Sequence, residues 1–181
     1  MKRPVYALFL FVFMLAACNQ SADNTNSDKK DPDPNHQKAM HAFSDIEKKD
    51  TFEVNLTGNK PADMVVAFTI TRFDGQKIYD IKIKATDLLG STDPNIDLRK
   101  EQDQINFIHT IVKEFLSEEK FLVPAVTKDQ EPDDYAPDKN FYTELKQTGL
   151  NGFTYRLGKE NNYYIAWSEA EKKVKIYYNC C

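Results

Sequence analysis

Glycine is scarce in this chain, with six among 181 residues, and no glycine-rich phosphate loop occurs. The Gly-x-Ser-x-Gly and His-Glu-x-x-His patterns of common hydrolases are missing as well. Histidine is limited to His36, His41 and His109. His109 follows Ile105 by one helical turn inside an apolar stripe, which is typical of a histidine at the edge of a core. The sequence therefore predicts no catalytic residue, no cofactor and no metal, and a protein that is not an enzyme.

Basic residues are outnumbered, since 24 lysines and arginines stand against 28 aspartates and glutamates. Without residues 1–17, which contain Lys2 and Arg3, 22 basic residues remain and the net charge is −6. Binding of phosphate groups needs a basic surface, so this balance argues against nucleic acid as a partner. It also argues against electrostatic adhesion to anionic lipid.

Long apolar runs are lacking too. The one extended run, residues 5–17, has about 13 residues, whereas a helix that spans a bilayer needs about 20. It follows Lys2 and Arg3 and precedes a polar stretch, as the apolar part of a secretory signal does. The run ends in Leu15-Ala16-Ala17-Cys18. This ending resembles the lipobox of bacterial lipoproteins, in which small residues precede an obligatory cysteine.

The lipobox resemblance covers residues 1–18 only. It implies that residues 1–17 are a signal peptide cleaved after Ala17 and that the Cys18 thiol becomes a diacylglyceryl thioether. The acylated cysteine would then anchor the chain to the lipid bilayer, because two or three acyl chains hold stably. Asn19 in the next position favours the outer membrane of a two-membrane bacterium, with a periplasmic or surface-facing domain. In a bacterium with one membrane it implies the outer face of the cell membrane.

The stretch after the cysteine, NQSADNTNSDKKDPDPN, contains one apolar side chain, Ala22. Such a stretch cannot bury enough surface to offset the entropy lost on ordering. We therefore expect residues 18–35 to be the lipidated cysteine and a disordered tether. Residues 36–181 are long enough for one domain with its own core, and not comfortably for two.

Two kinds of periodicity appear in this domain. Alternating residues on either side of Asp74-Gly75 predict a hairpin with a two-residue type I′ turn, in which Phe68 lies opposite Ile81. Helical spacing predicts an amphipathic helix over 36–49 and a long helix over 97–118. The predicted fold is α+β, an antiparallel sheet built from hairpins and meanders with one long helix packed on a face. An all-β sandwich is the alternative.

The last third predicts a short helix that stops at Gly149, followed by a three-stranded antiparallel meander. One face of this meander carries the large apolar residues. The other face carries Tyr164 beside Tyr177, with Arg156 on the neighbouring strand. Tyrosine and arginine are favoured anchors of binding surfaces, so these three residues are the candidate binding surface. The alternative is that the tyrosines pack under a helix or form an ordinary cross-strand pair.

Two further patterns resemble a metal site and a redox site. Asp129, Glu131 and Asp133 alternate as calcium ligands do, but an EF-hand requires glycine where Asp134 stands. A solvated acidic loop is therefore favoured over a looser calcium site. The terminal pair, Cys180 and Cys181, leaves open a strained bridge between neighbours, a bond to another chain, or reduced thiols.

These features predict a membrane-tethered lipoprotein of the cell envelope. Its domain is expected to bind a protein or another envelope component without catalysing a reaction. One alternative is a carrier of a small ligand or lipid, which needs a deep apolar cavity. The other is an envelope hydrolase, which needs a base and a nucleophile clustered near His109.

Overall fold

Two four-stranded antiparallel sheets make up most of the computed structural model, which describes residues 33–91, 97–158 and 161–180. The first sheet contains, in this order, β1 (His36–Ala42), β2 (Lys49–Thr57), β3 (Val65–Thr71) and β4 (Lys77–Lys84). The second contains β5 (Phe121–Leu122), β6 (Gly152–Leu157), β7 (Asn161–Ser168) and β8 (Lys173–Cys180). The helices are α1 (Ala85–Leu88), α2 (Glu101–Glu114) and α3 (Lys139–Thr148). The fold is therefore α+β and mostly sheet, which confirms the predicted class.

The predicted signal peptide, Cys18 and the tether as far as residue 32 lie outside the described residues, and so does Cys181. The described chain begins with a turn at Asp33. The carbonyl of Asn35 already accepts a hydrogen bond from the N–H of Leu56 at 2.8 Å, so the first sheet holds the chain from there. In the described ranges, no helix is long and apolar enough to cross a membrane.

The hairpin of β3 and β4 has the predicted register, with Phe68 opposite Ile81. Its turn differs from the prediction. The N–H of Gly75 donates to the carbonyl of Arg72 at 2.8 Å, so the connection has three residues instead of two. A register shift just before Thr71 compensates for the extra residue. The predicted type I′ turn is therefore wrong, although Gly75 does have the positive φ, +90°, that it was expected to supply.

The predicted helix over 36–49 is wrong, because the first half of this segment is strand β1. The strand pairs with β2, and Ala39 lies opposite Phe52. Met40 and Ile46, whose spacing suggested an apolar helix face, are both exposed. Strand β1 lies at the edge of the sheet, and only one of its two faces is partly covered. Its sequence accordingly shows no strong apolar alternation.

Aromatic rings join the inner faces of the two sheets. The ring centroid of Phe153 in β6 is 5.3 Å from that of Phe52 in β2 and 5.2 Å from that of Phe68 in β3. Phe115, which follows α2, is 5.2 Å from Phe68. All four side chains are buried, and tilted or edge contacts of this kind add to the free energy gained from apolar burial. Both sheets and the end of α2 therefore share one core.

Strands β6, β7 and β8 form the predicted antiparallel meander. The alternation of the sequence aligns Phe153, Trp167 and Val174 across its three strands, and Trp167 does lie opposite Val174. Between β6 and β7 the pairing is shifted by two residues, so Phe153 faces Ile165 instead of Trp167. A shift of two leaves every side chain on its predicted face.

The register between β7 and β8 also shifts, between Tyr164 and Ile165. Ile165 lies opposite Ile176, and Tyr164 lies opposite Tyr178. Tyr177 is therefore an extra residue of β8 with no counterpart in β7.

Two predicted elements are shorter than expected. Helix α2 covers Glu101–Glu114 rather than 97–118, and it buries Ile108 and Val112. Residues 120–126 predict a short strand, which Pro124 would put at a sheet edge. In the structure only the two residues of β5 are strand, and they lie at the edge of the second sheet. The following residues leave the sheet and form the loop that leads to α3.

Candidate functional site

Helix α3 lies on the outer face of the second sheet and positions the candidate site. It begins after Asp138, whose carboxylate accepts hydrogen bonds from two backbone N–H groups at 3.0 Å. The Glu144 carboxylate accepts a hydrogen bond from the Ser168 hydroxyl at 3.0 Å, and the Tyr142 ring lies 6.4 Å from the Tyr177 ring. The sheet face that the sequence left open to solvent is therefore partly covered by this helix.

The two predicted tyrosines do lie together, with ring centroids of Tyr164 and Tyr177 6.1 Å apart. Tyr177 is only 3% exposed, however, so this residue is not an accessible part of the candidate binding surface, and the alternative of packing under a helix applies to it. Its hydroxyl donates to the carbonyl of Ala125 at 3.0 Å. Gly152 leaves the space for this contact, because a Cβ there would lie 2.9 Å from the Tyr177 hydroxyl oxygen. Tyr177 therefore ties β8 to the loop that covers the sheet.

Arg156, the third predicted residue, does not line the same depression as the tyrosine pair. It lines a separate cavity of about 300 Å³ between α2 and β6. Phe107, Ile111 and Lys120 line this cavity too. The sequence groups the three residues because they share one sheet face by parity. In the structure, the cavity at Arg156 is bordered by α2, whereas the depression at the two tyrosines is bordered by α3.

A groove of about 530 Å³ opens beside the tyrosine pair, and we call it the tyrosine groove. It is bordered by the end of β5, the loop from 123 to 133, α3 and β8. An exposed apolar residue, Val123, forms part of its rim and is 75% exposed. The residues that line it are Leu122, Val123, Pro124, Ala125, Thr127, Gln130, Glu131, Asp133, Tyr142, Tyr164, Tyr177 and Tyr178.

The hydroxyl of Tyr142 is a polar group of the groove that has no hydrogen-bond partner among the described residues. The side chain as a whole is only 6% exposed, but the fully buried side-chain atoms without a partner in the described ranges are Ser44 Oγ and His109 Nδ1, so the Tyr142 hydroxyl lies at the groove surface, where water or a ligand can bond to it. Burial raises the pKa of Tyr142, and the nearby Asp133 carboxylate raises it further. Burial likewise raises the pKa of Tyr177. Both phenols are therefore neutral near pH 7 and can donate and accept hydrogen bonds.

The alternating carboxylates of the loop point to different partners. Asp133 accepts hydrogen bonds from the Tyr178 hydroxyl and from the N–H of Tyr135, both at 2.8 Å. Glu131 pairs with Lys146 at 2.6 Å. Asp129 accepts from the Thr127 hydroxyl at 2.6 Å. Over the described ranges, no three His, Cys, Asp or Glu side chains come together as a metal site would require.

The histidines and Cys180 occupy other positions. His41 stacks on Phe121 with ring centroids 3.5 Å apart, and burial lowers its pKa. His109 is half-buried on α2, and its buried Nδ1 has no hydrogen-bond partner in the described part of the chain. Cys180 is half-buried at the end of β8, opposite Asn162. None of these three residues lines the tyrosine groove.

Sequence reasoning missed two residues of the groove that matter most, Tyr142 and Asp133. Tyr142 had a usable signal, because with Phe141 and Leu145 it forms the buried stripe of α3 at helical spacing. Asp133 had no such signal, because the sequence does not distinguish it from the other acidic residues of the loop unless the loop conformation is known. Alternation along β8 predicts that Tyr178 shares the face of Val174 and Ile176, but the extra residue Tyr177 brings it beside Tyr164, with ring centroids 5.4 Å apart.

Comparison with known proteins identifies no relative. No family model matches the chain, no curated protein matches it, and no solved structure matches it. The functional argument therefore rests on the groove and on the residues that form it.

Proposed function

We propose that this protein is a membrane-tethered lipoprotein of the cell envelope that binds a protein or another envelope component through the tyrosine groove. The acylated Cys18 holds it to the bilayer, at the outer membrane if the cell has two membranes. The tether separates the folded part from the lipid surface. Binding, and not catalysis, is its activity.

The observation that carries this proposal is a concave groove lined by four tyrosines, in which the Tyr142 hydroxyl has no partner among the described residues. A ligand can replace water at this hydroxyl, and such a hydrogen bond contributes a net of about 0.5–1.5 kcal/mol. Tyrosine rings offer large contact areas with little side-chain entropy to lose. A concave site with apolar walls and a few polar groups is the usual form of a ligand site.

The lipobox sequence supports the location. Residues 15–18 end an apolar run too short to span a bilayer, and a stretch with one apolar side chain follows. A short tether would keep the tyrosine groove close to the membrane and to other envelope components. Net negative charge supports anchoring by acyl chains rather than by attraction to anionic lipid.

A carrier of a small ligand is the second candidate, and the cavity beside α2 favours it. Phe107, Ile111 and Phe115 give it apolar walls, and Lys120 supplies a cation. Its volume of about 300 Å³ is at the lower limit of ordinary ligand sites. The tyrosine groove is larger, and the Tyr142 hydroxyl that it presents has no partner among the described residues, so we place the main binding activity there.

Two measurements test the proposal. The full chain should incorporate a fatty-acid analogue in its host, and Cys18→Ser should not. The detergent-solubilised full chain should cosediment with purified envelope fragments of the source cells. Tyr164→Ala should reduce this cosedimentation, whereas Phe73→Ala, which removes an exposed ring from the hairpin of the first sheet, should not.

Each measurement has an outcome that contradicts it. An unlabelled wild-type chain would refute lipidation at Cys18. Equal cosedimentation of the Tyr164 and Phe73 variants would show that the tyrosine groove is not the binding surface. Circular dichroism of both variants checks that each remains folded.

A further inference from the structure

The charges of the groups that act on the Tyr142 hydroxyl do not sum to zero. Asp133, Glu131 and Lys146 all act on it electrostatically. Lys146 pairs with Glu131 at 2.6 Å, and these two charges largely offset each other. Within the described ranges, no basic side chain lies within 4.0 Å of the Asp133 carboxylate. One negative charge therefore remains uncompensated at the groove.

The Asp133 carboxylate is held in place instead of moving freely in solvent. The Tyr178 hydroxyl donates to its Oδ2 and the N–H of Tyr135 donates to its Oδ1, both at 2.8 Å. A carboxylate oxygen accepts more than one hydrogen bond, so capacity remains for a ligand. Together with the Tyr142 hydroxyl it offers two acceptors to a group that carries several donors.

The charge of the whole loop favours cations over anions. Residues 128–138 contain five carboxylates and one lysine. Glu131 is paired with Lys146 and Asp138 with Lys175, while the remaining carboxylates have no salt bridge within the described residues. A concentration of one sign of charge attracts the opposite sign and repels its own. An anionic ligand is therefore disfavoured at this groove.

The rim of the groove is apolar on the side of β5. Val123 is 75% exposed there, and Pro124 follows it along the lining. The methylene groups of lysine and arginine side chains cover apolar surface while the charged end reaches polar groups. An apolar rim next to a fixed carboxylate suits such a side chain better than it suits a small ammonium ion or a uniformly polar sugar.

On the basis of the proposed function, we infer that the tyrosine groove binds a lysine or arginine side chain on an extended segment of a partner protein. The aliphatic stem lies along Val123, and the cation lies between the Asp133 carboxylate and the Tyr142 hydroxyl. The Tyr178 ring, fixed by its bond to Asp133, adds a cation–π contact. The groove thus recognises charge and side-chain shape together.

The test titrates the full chain with a defined peptide, acetyl-Gly-Lys-Gly-Lys-Gly-amide, by isothermal calorimetry. The matched ligand is the same peptide with both lysines acetylated on Nε, which keeps the length and removes the charge. Maltotetraose serves as a neutral saccharide. We expect the lysine peptide to bind about tenfold more tightly than the acetylated peptide, and its affinity to fall as salt is added.

Variants of the chain locate the binding site. Tyr142→Phe keeps the ring and should weaken the lysine peptide about tenfold, while Tyr135→Phe, an exposed tyrosine that does not line the groove, is its control. Asp133→Asn keeps an acceptor for Tyr178 and should weaken binding about fivefold. Asp134→Asn makes the same charge change one residue away and should have a smaller effect.

The outcomes separate this inference from the proposed function. Three results would refute the inference that the groove binds a cationic side chain. They are equal affinity for both peptides, tighter binding of maltotetraose, and an equal loss of affinity in the Asp133 and Asp134 variants. If cosedimentation with envelopes still depends on Tyr164 in that case, the proposed binding function stands. If that dependence is absent as well, both are refuted.

Discussion

The carboxylate of Asp50 connects two loops of the first sheet, and its removal gives a sharp test of the fold. Asp50 is fully buried. It accepts a hydrogen bond from the N–H of Ser44 at 2.6 Å and from the N–H of Phe73 at 2.9 Å. Ser44 lies in the loop between β1 and β2, and Phe73 lies in the turn between β3 and β4. One side chain therefore fixes both loops relative to β2.

The expected cost follows from these two bonds. A hydrogen bond to a charged group contributes about 1.5–3 kcal/mol, so losing both gives up to about 6 kcal/mol. Part of this is offset, because a buried carboxylate that makes no salt bridge to a described residue is itself costly, although the charge of Arg72 acts on it from a distance. The Phe73 N–H can also regain water, since that residue is exposed. We expect Asp50→Ala to lower the free energy of unfolding by about 2–4 kcal/mol.

Asp50→Asn separates the hydrogen bonds from the shape of the side chain. One amide oxygen can accept one N–H, but the NH₂ group then meets the other donor, so we expect a loss of about 1–2 kcal/mol. Asp80→Ala is the control, because Asp80 is an exposed carboxylate whose ion pair with Lys77 is worth about 1 kcal/mol or less.

The assay is urea unfolding of the full chain, followed by the fluorescence of its single tryptophan, Trp167, which is buried. The order Asp50→Ala, then Asp50→Asn, then Asp80→Ala should appear in the midpoints. A loss below about 1 kcal/mol for Asp50→Ala would refute the reasoning, as would equal losses for the Ala and Asn variants.

Two glycines give further predictions. Gly75→Val should destabilise the chain by about 1 kcal/mol or more because of its φ of +90°, and not because of a clash, since no atom lies within 4 Å of a Cβ at this position. Gly75→Asn should cost less in the same urea titration, and equal costs would contradict the backbone explanation. Gly152→Ala should lower the melting temperature, because its Cβ would meet the Tyr177 hydroxyl oxygen at 2.9 Å and cost about 1–3 kcal/mol. Adding Tyr177→Phe should recover part of that loss, and no recovery would show that the contact is not the cause.

The parts of the fold that could be predicted are those in which two independent patterns coincide. Strands β3 and β4 alternate on both sides of a glycine that permits a positive φ, and their register is as expected. The turn type could not be predicted, because a two-residue and a three-residue connection both use Gly75. Only the register shift before Thr71 decides between them, and it leaves no sequence signal.

Strand β1 could not be predicted, because no two sequence patterns coincide there. Its side chains are covered on one side only, and the half-buried ones include Gln37 and His41, so the strand lacks apolar alternation. Three apolar residues at helical spacing, Met40, Phe43 and Ile46, then favoured a helix, although only Phe43 is buried. Edge strands are set by pairing with a neighbour, and pairing is invisible in local periodicity.

The candidate site was predicted only in part, because contacts between distant segments are likewise invisible in local periodicity. Alternation placed Tyr164 and Tyr177 on one face and correctly brought them together. Whether that face is open depends on where α3 and the loop before it lie, which are contacts between segments far apart in the chain. Arg156 shares the face by parity, yet it lines another cavity.

Tyr177 and Tyr142 consequently have different roles, although both are buried tyrosines in one groove. The Tyr177 hydroxyl has its partner in the Ala125 carbonyl, and Gly152 gives it room, so the fold itself explains this residue. The Tyr142 ring packs on Tyr177, but its hydroxyl has no partner among the described residues and is not one of their fully buried unpartnered atoms, so packing explains the ring and not the hydroxyl. Phenylalanine would serve the same packing, because the hydroxyl makes no bond within the described part of the protein. In the proposed function, the Tyr142 hydroxyl is therefore the group at the groove surface that the ligand contacts.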